Sequence, residues 1–338
     1  MVASTRALIN ASSLFLHYMT SATRPVLIAR KTVEALDICS FEFVDPQGQA
    51  LPPFSAGSHV DVHLPGGLIR QYSQCNDPAE THRYVIAVLR DSASHGGSLG
   101  MHDLVQNELI QISDPRNHFP LSGEAGHHIL LAGGIGVTPI LCMAEHLAST
   151  GASFEMHYCT RSRERTAFLQ RIAGSAFAYR VQFHHDDGLP SQKLDAAALL
   201  DSRGQDTHLY VCGPTGFMDW ILNTARTAGW PEGRLHREYF AAAPVDTSQD
   251  SSFEIQIAST GEVITVAANQ SVVAALSAHG FELAVSCEEG ICGTCITRVI
   301  EGLPDHRDMF LTPAEQAKGD HFTPCCSRAK SSRLVLDL

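Results

Sequence analysis

The segment SCEEGICGTC, from Ser286 to Cys295, places three cysteines within a short stretch near the end of the 338-residue chain. Cys287, Cys292 and Cys295 have the spacing C-x4-C-x2-C, which is typical of plant-type [2Fe-2S] clusters. Glycines between them let the backbone curl closely enough for amide N–H groups to donate hydrogen bonds to the sulfurs. A structural zinc site usually has two short cysteine pairs, and only one C-x2-C pair is present here. The spacing therefore predicts an iron–sulfur cluster.

A fourth thiolate has to come from further along the chain, where Cys325 and Cys326 are adjacent. Neighbouring residues on an extended stretch point to opposite sides, so only one of the two is expected to reach the iron. The spacing alone does not choose between them. Four other cysteines are scattered among apolar neighbours and are predicted to be core residues: Cys39, Cys75, Cys142 and Cys159.

The overall composition is that of an acidic protein with sizeable hydrophobic cores. The formal net charge is -12 and 44% of the residues are hydrophobic, a balance that argues against a nucleic-acid-binding protein. Apolar runs such as ILLAGGIGV are far shorter than the ~20 residues of a membrane-spanning helix. Residues 1–25 lack the continuous apolar region of a signal peptide and are interpreted as a tail. The ten cysteines therefore favour the reducing cytoplasm, where clustered thiols bind metal.

Residues 26–122 have the pattern of short alternating strands separated by turns. In HVDVHLPGGLIRQYS, the side chains of Val60, Val62 and Leu64 fall on one face of a strand that ends at a Pro-Gly-Gly turn. A further strand, YVIAVLRD, follows. This pattern predicts an antiparallel β-barrel.

Residues 123–233 alternate strands with helices, which predicts a doubly wound parallel sheet. HHILLAGGIGVTPILCMAEHLAST is typical of a buried strand, a glycine turn and a helix, and HLYVCGPTGFMDWILNTARTAG repeats this arrangement. Residues 234–252 are interpreted as a linker, because the stretch AAAPVDTSQDSS from Ala241 to Ser252 is small and polar. Residues 253–338 begin with a predicted hairpin and helix and then contain the cysteine segment. The chain is therefore predicted to have three domains.

Two strand-to-helix turns of the second domain are predicted to bind a nucleotide. Gly133, Gly134 and Gly136 permit a close approach of the backbone, and the amides that begin the following helix suit a phosphate or a carboxamide. The second turn lies in YVCGP, residues 210–214. Both turns are expected at one edge of the sheet, because ligands bind at the carboxyl ends of parallel strands.

Two short segments of the first domain have the side chains of a flavin site. In RQYS, Arg70 suits a phosphate, Tyr72 suits a flat ring, and Ser73 suits a heteroatom of that ring. HGGS, residues 95–98, is a turn whose amides suit an anion. Taken alone, each segment is explained equally well by an ordinary strand or an ordinary turn.

Together, these segments resemble the ferredoxin–NADP reductase superfamily, and most closely its phthalate dioxygenase reductase family. The resemblance covers about residues 26–338 and rests on RQYS, HGGS, AGGIGVTP, CGP, CEEGICGTC and the closing CSRAKSSRLVLDL. It implies an antiparallel β-barrel flavin domain, an α/β doubly wound nicotinamide domain and an α+β plant-type ferredoxin domain of the β-grasp type. It also implies FMN, NADH and a Rieske-type oxygenase as the electron acceptor.

By position, the resemblance implies roles for individual residues. The last cluster ligand of the family begins a C-V-S-R-A stretch, which makes Cys325 the expected fourth ligand and Cys326 a buried thiol. Thr138 and Cys212 are expected to align the nicotinamide, and Phe240 to lie near the flavin ring, although it also suits packing at a domain joint. The expected FMN contacts are Arg70, Tyr72, Ser73, Gly96, Gly97 and Ser98. The expected nucleotide contacts are Gly133, Gly134, Gly136, Thr138, Thr160, Arg161, Cys212, Gly213 and Pro214.

The coenzyme is left open between NADH and NADPH. The stretch TRSRERTAF places Arg161, Arg163 and Arg165 where a nucleotide ribose is expected, and arginines there suit the 2′-phosphate of NADPH. The resemblance implies NADH, which is the preferred prediction. The nearby FHHDDG is predicted to be a surface loop, because neighbouring residues at a strand end point to opposite sides.

A flavin is needed between the other two groups, because a nicotinamide gives up two electrons as hydride whereas an iron–sulfur cluster accepts one. The predicted function is the reductase component of a two-component aromatic-ring oxygenase or demethylase system. The alternative is a ferredoxin-like carrier or redox sensor without NADH turnover. Glu288 and Glu289 are expected to give an acidic rim for a basic acceptor protein, and the chain is predicted to be a monomer.

Overall fold

The computed structural model describes residues 23–91, 96–201, 203–240 and 246–338. Its main sheets are antiparallel, parallel and mixed, and they follow one another along the chain. The predicted architecture of a β-barrel, a doubly wound α/β domain and a ferredoxin-like domain is thereby confirmed. The predicted tail, residues 1–25, lies almost entirely outside the described ranges, and the first strand begins at Thr23.

An antiparallel barrel forms the first domain. Its elements are β1 (Thr23–Ala35), β2 (Ile38–Val44), β3 (Ser58–His63), β4 (Ile69–Ser73), β5 (Tyr84–Leu89), α1 (Gly97–Asp103), β6 (Leu109–Ser113) and β7 (Arg116–Asn117). The strand order is β4-β3-β6-β1-β2-β5, with β7 beside β3. A bridge between Gln74 and Ile86 joins the two ends of this order, so the sheet closes.

The barrel core follows from the alternation of side chains along its strands. Val60 and Val62 of β3 are fully buried in it, together with Phe41 of β2. On β3 the intervening His59 and Asp61 are each only 4% exposed. Strand alternation by itself leaves such residues in water, so another part of the molecule has to cover this face of β3.

A parallel sheet forms the second domain. Its elements are β8 (His127–Gly133), α2 (Val137–Ser149), β9 (Phe154–Thr160), α3 (Leu169–Ala173), β10 (Val181–His185), α4 (Ala196–Leu200), β11 (Thr207–Cys212), α5 (Thr215–Thr227) and β12 (Leu235–Glu238). The strand order β10-β9-β8-β11-β12 changes direction between β8 and β11. Ligands of doubly wound folds bind at such a switch point, outside the carboxyl ends of the strands.

Helices cover both faces of the parallel sheet. The predicted apolar stripe of α2, which includes Ile140, Met143 and Leu147, packs on one face, and α4 and α5 pack on the other. The helices α2 and α5 have 13 residues each, whereas a bilayer requires about 20. Within the described ranges, no helix is long and apolar enough to cross a membrane.

A mixed sheet forms the third domain. Its elements are β13 (Phe253–Ile257), β14 (Val263–Val266), α6 (Val272–Ala278), β15 (Thr297–Glu301), β16 (Pro304–Asp305), α7 (Pro313–Lys318), β17 (His321–Phe322), β18 (Arg328–Ala329) and β19 (Arg333–Leu336). The strand order is β14-β13-β19-β15-β17, and β13 and β19 are parallel. The three-cysteine segment forms an irregular loop between α6 and β15. We call Ser286–Cys295 the cluster loop.

The first two domains share a hydrophobic core, whereas the third has its own. Ile38 and Phe119 of the barrel pack in one cluster with Leu141 of α2. Arg171 of α3 also donates a hydrogen bond to the carbonyl of Cys75 in the barrel, at 2.9 Å. The third domain is built around apolar residues from its own strands and from α6. The first two domains are therefore expected to behave as one body.

The predicted linker, residues 234–252, begins too early. Strand β12, Leu235–Glu238, pairs with β11 and completes the parallel sheet. The small and polar character used to recognise the linker begins only after this strand, and residues 241–245 lie outside the described ranges. The other domain boundaries stay predictions.

The cysteines outside the cluster segment were predicted to be core residues. This is confirmed for Cys39, Cys75 and Cys142, which are at most 8% exposed. Cys159, at the end of β9, is only partly buried. Burial raises the pKa of all four thiols, which keeps them protonated and unreactive near neutral pH.

Candidate functional site at the meeting point of the three domains

A cavity of about 1110 Å³ lies where the three domains meet. Strands β4 and β5 of the barrel line it on one side, and Thr138 and the end of β12 line it on another. The cluster loop and α7 of the third domain complete the wall. Ligand pockets usually measure about 300–1,000 Å³, so this volume suits a large cofactor together with part of a second ligand.

The barrel wall of the cavity is formed by β4. Arg70, Tyr72 and Ser73, the predicted flavin residues, all line the cavity. Burial raises the pKa of the Tyr72 phenol, so this side chain stays neutral and presents an uncharged ring. Gln71, between them, lines the cavity as well, although the sequence analysis assigned it no role.

The turn before α1 lies against the same wall. A Cβ atom on Gly97 would be 2.6 Å from Cγ of Arg70, so only glycine allows this close contact. Gly97 and Ser98 line the cavity, and Gly96 precedes them with a φ of 88°. The structure therefore brings the predicted phosphate residues together, with a guanidinium beside the amides of a turn. His95 of the HGGS segment lies outside the described ranges.

The two predicted nucleotide turns of the parallel sheet touch each other. A Cβ atom on Gly136 would be 2.2 Å from the carbonyl oxygen of Cys212, and one on Gly213 would be 2.8 Å from Cα of Gly133. These glycines thus allow the ends of β8 and β11 to pack backbone against backbone. Gly134 has a φ of 53° and open space around its Cα.

Thr138 and Cys212 lie at different depths behind the cavity surface. Thr138 lines the cavity, and its Oγ1 donates a hydrogen bond to the carbonyl of Ile135 at 3.2 Å. Cys212 is completely buried one layer behind the lining residues, and burial raises the pKa of its thiol. Its thiol is therefore neutral near physiological pH. Pro214 follows as the N-cap of α5.

Glu238 is a cavity residue that the sequence analysis missed. It ends β12 directly across from Cys212, and its Oε2 accepts a hydrogen bond from Ser73 Oγ at 3.0 Å. Burial raises the pKa of its carboxyl to about 8, so the side chain holds a proton near neutral pH. The segment REYFAA contained a signal, an acid within a short β-like stretch, but these residues were assigned to the linker.

Phe240 and the arginine stretch have different positions. Phe240 lines the cavity and is 37% exposed, a position that suits contact with a ligand ring. Thr160 and Arg161, at the end of β9, are not among the lining residues. Arg161 is exposed, whereas Arg165 forms an ion pair with Asp37 of the barrel at 3.5 Å. Arg165 is therefore engaged in a surface ion pair, whereas Arg161 is exposed to solvent.

In the cluster loop and its surroundings, the four predicted ligands form two pairs. The thiols of Cys287 and Cys292 are hydrogen-bonded, which raises the pKa of Cys287 and lowers that of Cys292 to about 5. The thiol of Cys325 is likewise hydrogen-bonded to Cys295. The structure thus brings Cys325 to the loop cysteines.

Amide groups of the cluster loop point at these sulfurs. The N–H of Glu289 donates to Cys287 Sγ, and the N–H of Thr294 donates to Cys292 Sγ, each at 3.4 Å. Gly293 has a φ of 68°, and a Cβ atom on it would lie 2.3 Å from the ring of Phe310. The loop therefore needs glycine both for its curl and for its contact with this ring. Amide donors of this kind stabilise thiolates and tune a bound cluster.

The thiol of Cys326 lies against Thr323 and against the backbone of the cluster loop. Its Sγ lies 3.3 Å from Thr323 Oγ1 and packs against Gly290, where a Cβ atom would be 2.3 Å from it. Burial and the contact with Cys325 raise the pKa of its thiol. The two adjacent cysteines lie in a turn rather than on an extended stretch, so the alternation expected from the sequence does not apply to them.

The donor set fits a two-iron cluster. Within the described part of the chain, no three His, Cys, Asp or Glu side chains converge where a single ion would bind. Two thiol pairs with amide donors match a cluster whose irons share four cysteine ligands. Of the acidic rim, Glu288 is exposed as expected, whereas Glu289 lines the cavity.

The cavity reaches from the barrel wall to the cluster loop. Cys292 and Phe310 line it on the third-domain side, next to His59 and His118 of the barrel. The ring centroids of His118 and Phe310 are 5.5 Å apart in an edge-on arrangement. Burial lowers the pKa of His59 to about 3, with Arg116 as a further cause. The sequence analysis missed this contact, because no local pattern links residues so distant along the chain.

The chain is similar to proteins of known families along almost its whole length. Residues 255–330 match the family described as 2Fe-2S iron-sulfur cluster binding domain. Vanillate O-demethylase oxidoreductase of Pseudomonas sp. (strain HR199 / DSM 7063) is 57% identical over 314 residues, which are 93% of this chain and 99% of the relative. Phthalate dioxygenase reductase of Burkholderia cepacia is 42% identical over 92% of this chain and 96% of its own length.

A solved structure shares the whole arrangement. It is described as phthalate dioxygenase reductase, a modular structure for electron transfer from pyridine nucleotides to [2Fe-2S]. The two chains superpose with a TM-score of 0.73 and 40% sequence identity, over 94% of this chain and 98% of the other. The similarity thus extends over all three domains.

Proposed function

Since the chain belongs to the family of the vanillate O-demethylase oxidoreductases and phthalate dioxygenase reductases, we propose that it is the reductase component of a two-component aromatic oxygenase or demethylase system. Electrons pass from NADH through FMN and a [2Fe-2S] cluster to an oxygenase. The observation that carries this proposal is that β4, which bears the predicted flavin residues, Thr138 and the predicted cluster ligand Cys292 all line the same cavity.

The barrel wall binds the flavin. Arg70 would neutralise the phosphate with help from the amides of Gly97 and Ser98, and Tyr72 would offer its flat ring to the flavin. When bound, FMN takes up a hydride and releases its electrons singly. Ser73 is oriented by its hydrogen bond to Glu238, whose carboxyl holds a proton near neutral pH, and would bind a heteroatom of the flavin ring.

The parallel sheet positions the nicotinamide. The turns after β8 and β11 present backbone amides at the switch point, where dinucleotides bind in doubly wound folds. Thr138, which lines the cavity, would help to align the nicotinamide, and the neutral, buried Cys212 thiol would support this position without adding charge. Phe240 shields the flavin side of the cavity from water.

Cys287, Cys292, Cys295 and Cys325 would hold the [2Fe-2S] cluster, which transfers single electrons. Their support is the pairing of the thiols and the amide donors of the cluster loop. We assign no ligation to Cys326, because its thiol is engaged with Thr323 and packs against Gly290.

The acceptor is a Rieske-type oxygenase, and the relative at 57% identity favours one that demethylates vanillate. Glu288 gives the exposed acidic charge next to a cluster ligand, so the acceptor is expected to present a basic face. The chain acts as a monomer in the cytoplasm, where reducing conditions keep its ten cysteines free.

The coenzyme is NADH. The arginines of TRSRERTAF are the argument for NADPH, but Arg165 is engaged with Asp37. Arg161 remains exposed near the expected ribose. The expected result is a kcat/KM for NADH well above the kcat/KM for NADPH. A higher kcat/KM for NADPH would instead assign Arg161 to the 2′-phosphate.

A visible spectrum before and after addition of NADH tests the proposal. Flavin and iron–sulfur bands that both bleach are the expected result. Steady reduction of ferricyanide by NADH would exclude the carrier or redox sensor, which has no NADH turnover of its own. A colourless protein containing zinc, or a yellow protein indifferent to either nicotinamide coenzyme, contradicts the proposal.

A further inference from the structure

A hydrogen bond joins the cluster loop to the barrel next to the first cluster ligand. Ser286, which immediately precedes Cys287, donates from its Oγ to Oδ1 of Asp61 at 2.8 Å. The two residues are 225 positions apart in the chain, and both are at most 4% exposed. The contact is therefore a buried junction between the first and third domains.

Asp61 is held rigidly from the barrel side. Its Oδ2 accepts a hydrogen bond from Arg116 Nη2 at 2.6 Å, and its backbone N–H donates to Ser113 Oγ at 2.9 Å. Arg116 supplies the charge that a buried carboxylate requires. A hydrogen bond to an ionised acceptor is about twice as strong as one between neutral groups. The carboxylate is thus a fixed and strong acceptor for Ser286.

Asp61 lies next to the barrel wall of the cavity. Asp61 on β3 pairs with Gln71 on β4, between the pairs that contain Arg70 and Tyr72. The Asp61 side chain therefore connects the cluster loop with the strand that pairs directly with the strand of the flavin residues. The edge-on contact of His118 with Phe310 lies in the same seam.

We infer that Asp61, braced by Arg116, is a positioning residue: through Ser286 it docks the cluster loop on the flavin barrel for electron transfer between the two cofactors. The inference rests on the proposed function. It explains why β3 buries Asp61 on the face that alternation assigns to water. It also explains how the third domain, which has a hydrophobic core of its own, is held against the other two domains, which share one.

Two variants of the holoprotein test the inference. Ser286→Ala removes only the hydroxyl and keeps the Arg116–Asp61 ion pair, whereas Asp61→Asn weakens both contacts. Glu42→Gln is the matched control, because Glu42 pairs with Arg83 at 2.8 Å in the same barrel, outside the junction. Ser286→Ala carries the test if Asp61→Asn does not fold.

Two measurements are combined. Hydrogen exchange of peptides that cover residues 284–296 is expected to lose protection by about tenfold in both junction variants, the factor that follows from loss of a hydrogen bond to a charged group. The rate at which NADH reduces the cluster, followed by stopped-flow absorbance, is expected to fall by about the same factor. Reduction of ferricyanide by the flavin, the iron content and the EPR g-values should match those of the unmodified protein, as should every property of Glu42→Gln.

Unchanged exchange and unchanged cluster reduction in Ser286→Ala would overturn the inference. An equal loss of ferricyanide reduction would also overturn it, because Asp61 would then support the flavin site rather than the docking of the loop. Failure of the unmodified protein to reduce its cluster with NADH would instead refute the proposed function, and hydrogen exchange would still report whether the junction exists.

Discussion

The cluster loop and the cavity wall opposite it are built in contrasting ways. The loop carries three predicted ligands within Ser286–Cys295, and its glycines and amide donors belong to the same stretch. The wall joins Ser73 of the barrel to Glu238 of the parallel sheet, 165 positions away. The loop is therefore a local structure with one distant ligand, whereas the wall exists only after two domains have packed together.

This difference decides how each region responds to change. A local site depends on its ligands and on the curl of its backbone. Loss of one ligand should therefore abolish the site completely and leave the rest of the molecule unchanged. A site assembled from packed domains depends on burial, and burial alters the pKa values of its side chains. Such a site tolerates some substitutions better than others. Four predictions, taken from the largest expected effect to the smallest, test this contrast.

Substitution of the cluster cysteines should have an all-or-none effect. Cys292→Ser and Cys325→Ser are expected to lose the cluster, because each removes one member of a thiol pair. Cys326→Ser is expected to keep it, since that thiol contacts Thr323 instead. Iron and sulfide content, with EPR of the reduced protein, measures the outcome. A cluster that survives in Cys325→Ser and disappears in Cys326→Ser would exchange the two roles.

Glu238 should make stability depend on pH. Burial raises the pKa of its carboxyl from 4.5 to about 8, so the native state keeps a proton that the unfolded state releases. The stability linked to this proton is complete below about pH 4.5 and is lost as pH rises to about 8, by about 1.4 kcal/mol per pH unit. The midpoint temperature of thermal unfolding should therefore fall across this pH window more for the unmodified protein than for the Glu238→Gln variant. Parallel curves for the two proteins would contradict the assignment.

Gly136 should tolerate no side chain. A Cβ atom there would lie 2.2 Å from the carbonyl oxygen of Cys212, so Gly136→Ala forces the two turns apart. A destabilisation of about 1–3 kcal/mol is expected, together with weaker coenzyme binding. Gly216→Ala in α5 is the control, because nothing lies within 4 Å of the new methyl group. Equal midpoint temperatures of thermal unfolding for the two variants would refute the close contact.

The rim charge should have the smallest effect. Glu288→Gln is expected to slow electron transfer to the acceptor protein by about twofold to fivefold at low salt, and less at high salt. Asp219→Asn, an exposed acid on α5 of the second domain, serves as the control. Stopped-flow oxidation of the reduced protein measures the rate. No dependence on ionic strength would argue against an acidic docking face.

The sequence predicted the fold class well because its signals are periodic or local. Alternation in β3 and the apolar stripe of α2 both match the structure. The family resemblance is confirmed over nearly the whole chain. The error at the linker arose because β12 has only four residues and partly exposed side chains, so it lacks a clear pattern.

The site was predictable to the extent that its residues lie in motifs. Arg70, Tyr72, Ser73 and Thr138 line the cavity, as their motifs led us to expect. Glu238, His59 and His118 were missed, because a single acid or histidine carries no signal until its neighbours are known. Thr160 and Arg161, in turn, lie outside the cavity wall.

The order of cysteines and glycines along the chain by itself determined that an iron–sulfur loop forms, since ligands a few residues apart are brought together by local backbone geometry. Only the tertiary structure decided that this loop meets the flavin wall, and that Asp61, Ser286 and Glu238 act there. Hydrogen bonds and burial between residues hundreds of positions apart exist only once the chain has packed, so no short stretch of sequence encodes them.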